Sequence, residues 1–578
     1  MSKFKLREDF DEKENLIVQH TAGKKVIYHT GMADSDVHVI VKSSKYAREL
    51  ICTGTNPELG EKIFKKVISL QDSETDSKTY GLWPYFMEEK LSEMDEPDKN
   101  MAGFNSREML EVIYDAAERI SDELRERMIS SMKRACSLII KRNEGVQYTN
   151  VAFLESLVLC CCGELLNDQN ILNAGRNKLR KSLGFINYQG SVFEHNSPCY
   201  SILCIKDIGN ILKYVKDAEV IFYAEQINDY LWKCLAEHFD YKNLQLGGPQ
   251  CRAYDDYIDN ESLQVIMAAC ALEDKFENHP MAPEGLHRVK ISAVCPEKYI
   301  PYFSGDKVWG NSQRVIMRGF NYPYFAFSQA INHYRGDGFT LGTFNREELW
   351  NQRRPFLSYI DGEKKPYCFR VKCYHDGFDF SSAVLHCVQK EGKVLGNVNF
   401  SSDRGDTHIG LDLVRDTTID AEDLRIIFEI SGDVEALNFE KDENGVKIKV
   451  GNVPIKISHI YTKFGDYPIE TKIEKTDECL RYSIILYNGE KKKINFGVME
   501  EAISAFGIEM GSISKHSEIK CGTDGDFLKT VWENGEDKLE LHVLKAASPF
   551  KINMYEDRQF INGKELFIYL DSLELQGN

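Results

Sequence analysis

The strongest constraint on this chain is a change of period partway along it. From about residue 57 to about residue 275 apolar residues recur at helical spacing, as in Met109, Val112, Ile113 and Ala116, then Met128, Met132, Cys136 and Ile139. That stretch must therefore bury one stripe of each of a series of helices. After Pro280 the spacing alternates, in segments such as AVLHCVQKEGKVLGNVNFSS and YSIILYNGEKKKINFGV, punctuated by Gly, Asn and Asp. This is the pattern of antiparallel strands and turns. Helices first and strands afterwards give an α+β fold by segregation. No period of about 40 residues repeats in the strand region, which predicts one large β-sandwich or two stacked sheets rather than a propeller.

At 578 residues the chain is too long for one core, and the period change divides it. Residues 1–50 are expected to be extended chain or short strands, from β-branched clusters such as NLIVQH and VHVIV. Residues 51–285 form the expected helical domain, with helices over 57–70, 106–120, 121–142, 150–167, 169–184, 197–214, 218–238 and 259–273. Residues 286–578 form the β domain, beyond a boundary where Pro280, Pro283, Pro296 and Pro301 interrupt both periods.

A net charge of -18 opposes an exposed surface for nucleic acid or anionic membrane, while leaving room for a locally basic cleft. No run reaches the roughly 18 apolar residues of a membrane helix, and Met1 to Glu14 carries no apolar leader, so cytoplasmic residence is expected. Of 16 cysteines, Cys160, Cys161 and Cys162 are consecutive in an apolar helical run, which suits buried reduced thiols. Without a CxxC pair, no zinc site and no cofactor are predicted.

Polar residues concentrate in a few places. In residues 188–217, Glu194, His195, Asn196 and Tyr200 stand directly before an amphipathic helix, which Asn196 or Ser197 can cap. In residues 147–168, Asn150 opens a helix that is apolar on most faces, where it also serves as a cap. In residues 246–257 a Gly-Gly-Pro turn delivers Arg252 and Tyr254 close to Asp255 and Asp256, and the Arg252 fork suits a carboxylate. Trp83, Tyr85 and Phe86 are candidates for stacking on sugar rings or for packing. In residues 333–359, His333, Arg335, Arg353 and Arg354 accompany Trp350, as a cleft wall or as charges guarding a sheet edge.

The segments TNVAFLESLVLCCCGELLND, GSVFEHNSPCY and LGGPQCRAYDDY, in this order and separation, resemble the heparinase II/III and alginate-lyase group of polysaccharide lyases. The resemblance spans most of the chain and implies an (α/α) toroid-like helical domain followed by an antiparallel β-sandwich. It implies that Tyr200 is the acid/base, that Asn150 neutralises a uronate carboxylate, and that His195 is a companion base. His333 is the best match to a second family histidine. Val151 follows Asn150 where many relatives carry His or Trp.

The implied activity is β-elimination on an acidic oligosaccharide or polysaccharide. It removes the proton beside a carboxylate and expels the glycosidic oxygen, with Asn150 and Arg252 stabilising the enediolate. Glu194, Asn196, Tyr254, Trp83, Tyr85, Arg353 and Arg354 are the expected substrate contacts. A glycoside hydrolase would instead need facing carboxylates, such as Glu194 with Asp255 or Asp256. A carbohydrate-binding protein without turnover is the third reading.

Overall fold

The computed structural model describes residues 6–21, 30–94, 96–310, 312–317, 329–405, 414–514, 518–535 and 537–566. Its fold is α+β and segregated along the chain. The helical series comprises α1 (Ile40–Thr53), α2 (Pro57–Ser69), α3 (Met101–Asp115), α4 (Asp122–Arg142), α5 (Thr149–Leu165), α6 (Gln169–Gln189), α7 (Tyr200–Tyr214), α8 (Ala218–His238) and α9 (Asn260–Ala269). Local chemistry sets the starts. Asn56 accepts from Leu59 N at 3.2 Å before Pro57, and Ser121 accepts from Leu124 N at 3.3 Å. The helix α5 is buried from Thr149 to Gly163, as its all-round apolar sequence requires.

The chain forms two compact units, one made of the described residues of Met1–Phe185 and Leu203–Tyr230, the other of those of Ile186–Ile202, Leu231–Thr407 and Leu411–Asn578. In the first unit, residues 40–50 were expected to be extended and instead belong to the helix α1. The β-branched run Val39-Ile40-Val41 masks a helical stripe of Ile40, Ser43, Ser44, Ala47, Leu50 and Ile51. Ser44 satisfies its hydroxyl by donating to Asn105 Oδ1 at 2.6 Å, so a polar residue sits on the buried face. Short strands do precede it, at Leu16–His20 and Asp36–His38. The part of the expected strand segment at 22–29 lies outside the described residues.

Among the described residues, the second unit stacks a third antiparallel sheet on the expected sandwich of two, beside a two-stranded pair of Phe239–Asp240 with Gln245–Leu246. A 9-stranded sheet runs in the order Glu470–Lys475, Cys479–Asn495, Thr418–Ser431, Tyr367–His375, Phe356–Ile360, Phe339–Phe344, Gln329–Gly336, Ser312–Met317, with Phe378–Asp379 paired beside Tyr367–His375. A 7-stranded sheet, which includes Ala383–Lys390, Lys393–Phe400 and Ala502–Met510, packs on it. Their shared core holds Phe356, Phe369, Leu385, Phe428, Ile484 and Phe506. Each such side chain contributes ~1.5–3 kcal/mol. The far face of the second sheet presents Val388, Leu395, Ile503 and Ala505 to Trp532, Leu539 and Leu541 of a 5-stranded third sheet.

Alternation puts charge on the other face of the 9-stranded sheet. Phe369, Val371 and Cys373 enter the core, so Arg370 and Lys372 point away from it. Opposite Arg370 in register stands Glu429, which takes Lys372 Nζ at 2.5 Å and Arg481 Nε at 2.6 Å. From this face Arg370 lines the cleft described next.

Candidate active site

The site lies in the second unit and is assembled from two loops far apart in sequence. The first follows α6 and leads into α7. Asn196 there has a left-handed backbone, φ 49°, and Ser197 caps α7 by accepting from Tyr200 N at 3.1 Å. The second loop is the Gly-Gly-Pro turn. Asn196 Nδ2 donates to Gly247 O at 2.7 Å and to Pro249 O at 2.9 Å, Cys251 N donates to His195 O at 3.0 Å, and Ser197 Oγ donates to Arg252 O at 3.1 Å. The turn in turn pairs with the 9-stranded side through Arg354 N to Gln250 O at 2.9 Å and Ala253 N to Gln352 O at 2.7 Å.

This stapling brings Tyr200, Arg252 and Tyr254 together. The hydroxyls of Tyr200 and Tyr254 share a short hydrogen bond. The Arg252 guanidinium carbon lies 5.3 Å from the centre of the Tyr200 ring, a cation–π distance, and its Nη1 is 3.8 Å from Glu194 Oε1. Arg252 adopts φ 57°. Tyr254 is 54% exposed, so the pair opens to solvent on its side. Burial holds the Tyr200 phenol above the ordinary tyrosine range against the opposing pull of Arg252, so it is a proton donor through neutral pH.

Beside Tyr254 opens a cleft of about 320 Å³ lined by Asp256, Gln352, Arg354, Arg370 and Asp379 among others. Asp256 Oδ1 receives Arg354 Nε at 3.0 Å and Arg370 Nη1 at 2.5 Å. Burial alone would raise its carboxyl, but Arg370 and Arg354 outweigh burial and lower it to about 2. Asp379, in the same cleft, is pushed up by burial. Asp379 was not singled out in sequence. Its only signal was its place after a Gly-containing turn in the strand region.

Several expected contacts have other work. Trp83, in the first unit, is 0% exposed and donates Nε1 to Val67 O at 2.9 Å, so it is a packing anchor and no sugar platform. Tyr85 packs its edge on Phe86 and is half-buried. Asn150, the second residue of α5, is buried in the first unit. Asn196 is fully buried and spends its amide on the two carbonyls above, which leaves it no substrate role. Arg353 is buried against Glu347 at 3.2 Å and Glu348 at 3.6 Å, so its charge is neutralised within the fold. Arg354, by contrast, reaches the cleft. Glu194 is buried at the base of Arg252.

His195 and His333 are each 2% exposed, and His238, not singled out in sequence, sits between them with ring centroids 5.1 and 5.0 Å away. All three imidazoles are held below the ordinary histidine range, foremost by burial, His238 at about 4. The row is therefore neutral at neutral pH.

A family described as a domain of unknown function (DUF8769) matches residues 18–283. No curated protein matches the chain. Among solved structures, the chain is similar to heparinase III, at 10% identity and TM-score 0.43 over 87% of this chain and 82% of that one. It is similar to a heparan sulfate lyase mutant from Pedobacter heparinus, at 9% identity and TM-score 0.38 over 87% and 83%. It is also similar to chondroitin AC lyase of Streptomyces coelicolor A3 in complex with chondroitin sulphate, at 8% identity and TM-score 0.43 over 88% and 84%.

Among the described residues, no helix is long and apolar enough to cross a membrane.

Proposed function

We propose that this protein cleaves uronate-containing oligosaccharides or polysaccharides by β-elimination, with the Tyr200–Tyr254 pair moving the proton and Arg252 neutralising the uronate carboxylate. The observation that carries the reading is the hydrogen-bonded pair of tyrosine hydroxyls with a guanidinium over one ring. Elimination needs one proton taken from the carbon beside the carboxylate and one given to the departing glycosidic oxygen. In one concerted step Tyr200 Oη gives its proton to the leaving oxygen as the C–O bond breaks, and the oxygen so vacated in the hydroxyl pair accepts the proton from carbon as the C=C bond forms, so the pair ends as it began. Such acid/base work typically contributes ~10²–10⁴-fold. Arg252, whose guanidinium stands over the Tyr200 ring and 3.8 Å from Glu194, is placed to meet the substrate carboxylate and stabilise the enediolate. The proton role passes to the tyrosine pair rather than to His195, because His195 is buried.

The test is incubation with pectic, alginate and glycosaminoglycan oligosaccharides while the near-ultraviolet absorbance of an unsaturated uronate is followed. New absorbance with new reducing ends supports elimination, and reducing ends without absorbance refute it.

A second reading, glycoside hydrolysis, is favoured by one observation. Asp256 and Asp379 share the cleft, Asp256 held low by Arg370 and Arg354 and Asp379 pushed up by burial, and hydrolysis uses two carboxyl groups of unlike acidity. This pairing replaces Glu194 with Asp255 or Asp256. The same assay separates the two.

A further inference from the structure

We infer that His195, Cys234 and His238 form a binding site for a divalent transition metal ion, zinc by the chemistry of the donors, which pins the loop carrying Tyr200 to the end of α8. One donor atom from each of the three residues falls within 4.8 Å of the others. All three belong to the second unit and all are buried. Cys234 Sγ lies 3.9 Å from His195 Nδ1.

The hydrogen bonds around the cluster already set the histidines for coordination. His238 Nδ1 lies 2.9 Å from Cys234 O, and a carbonyl only accepts, so the proton is on Nδ1 and the lone pair on Nε2. The same logic applies to His333, whose Nδ1 lies 2.8 Å from Gly248 O. His195 Nδ1 is 2.7 Å from Ser191 Oγ. Metal-bound imidazoles are oriented in this way, with one ring nitrogen on a protein group and the other on the ion. His195 Nε2 is buried with no hydrogen-bond partner among the described residues, a cost in an apolar interior that a bound ion would remove.

Cys234 and His238 stand four residues apart near the end of α8, so the helix presents both on one face. His195 comes from the loop five residues before Tyr200. A thiolate with two neutral imidazoles selects zinc over calcium or magnesium, which take oxygen ligands. Binding displaces the thiol proton to solvent as the sulfur–metal bond forms. The ion would cross-link two segments that otherwise meet through hydrogen bonds and packing.

The test uses the untagged full chain, stripped with a chelator and titrated with cobalt(II) and with zinc(II). One equivalent of zinc per chain by elemental analysis, a thiolate-to-cobalt charge-transfer band and a raised melting temperature are expected. Cys234→Ser should abolish the charge-transfer band, and His238→Gln or His195→Gln should weaken zinc binding at least ~10-fold. Cys204→Ala, at a buried cysteine outside the cluster, should change neither. Should one cluster variant fail to fold, the other two carry the test. No stoichiometric metal in the native chain, or a cobalt band that survives Cys234→Ser, overturns the site. Neither result bears on β-elimination, which is read by absorbance.

Discussion

The hydroxyl of Tyr200 is hydrogen-bonded to that of Tyr254, 54 residues further along the chain. One tyrosine opens a helix and the other sits on an exposed turn, and both are held by loops stapled through Asn196 and Ser197. If this pair moves the proton, Tyr200→Phe removes the donor while keeping the ring under Arg252. Turnover should fall at least ~10²-fold with the melting temperature little changed. Tyr254→Phe should also lower turnover, by interrupting the return of the proton. Initial rates of unsaturated product, with circular dichroism melts, decide the matter. A fully active Tyr200→Phe protein would remove Tyr200 from the chemistry.

Arg252 faces two ways, toward Tyr200 and toward the buried Glu194. Arg252→Ala should lower kcat/KM and also lower stability, because Glu194 loses that cation in a buried setting. Pairing it with Glu194→Gln removes the uncompensated charge. The double variant should therefore recover stability over Arg252→Ala without recovering activity. Denaturant midpoints and kinetics on the four proteins of the cycle test this separation. Recovery of activity in the double variant would show that Arg252 serves only to balance Glu194.

Asp256 gives a pH signature. Its folded-state acidity is lowered to about 2 by Arg370 and Arg354 against the effect of burial, while an unfolded aspartate titrates near 3.9. The unfolded chain takes up the proton first as pH falls. The stabilisation is present in full above about pH 4 and is lost between about pH 4 and pH 2. A shift of this size corresponds to roughly 2 kcal/mol. Unfolding free energies of the wild type and Asp256→Asn should converge across that window. A constant difference from pH 6 to pH 2 would mean that Asp256 is not an ion-pair anchor.

The helical series was legible because each helix buries a stripe, and stripes leave a period in the chain. The helix α1 was not, because its β-branched opening and its buried Ser43 and Ser44 imitate a strand edge. The strand region was legible as strands, but alternation does not count layers. The third sheet follows from Leu395, Ile503 and Ala505 being apolar on what would be an outer face. At the site, the segments holding Tyr200 and Arg252 stood out by composition. Their meeting rests on backbone carbonyls of Gly247, Pro249 and Arg252, which carry no side-chain signature. Cys234 and His238 are four apart on a helix, which from sequence looks the same as two core residues.

Trp83 tests a correction. Its indole is fully buried and hydrogen-bonded to Val67 O, so Trp83→Phe should destabilise by ~1–3 kcal/mol through lost packing and one hydrogen bond, leaving KM unchanged. Melting curves and substrate titrations check it, and a raised KM in a stable Trp83→Phe protein would return Trp83 to the substrate.

The turn that carries Arg252 and Tyr254 is seated on the 9-stranded sheet at a single glycine. A Cβ on Gly342, in the strand Phe339–Phe344, would lie 1.8 Å from the carbonyl carbon and oxygen of Gly248. Those are backbone atoms of a turn also held by Asn196 and His333, so they have no rotamer to escape into. Gly342→Ala must therefore push the whole turn outward, at a cost of at least about 3 kcal/mol. Arg252 and Tyr254 should move with it, lowering turnover even at temperatures where the protein stays folded. Gly522→Ala, in a strand of the third sheet where an added Cβ meets nothing within 4 Å, should change stability by no more than about 0.5 kcal/mol. Thermal melts of both variants, with turnover measured well below each midpoint, separate loss of seating from loss of fold. Full turnover in a Gly342→Ala protein that is as stable as the wild type would show that the site does not depend on this contact.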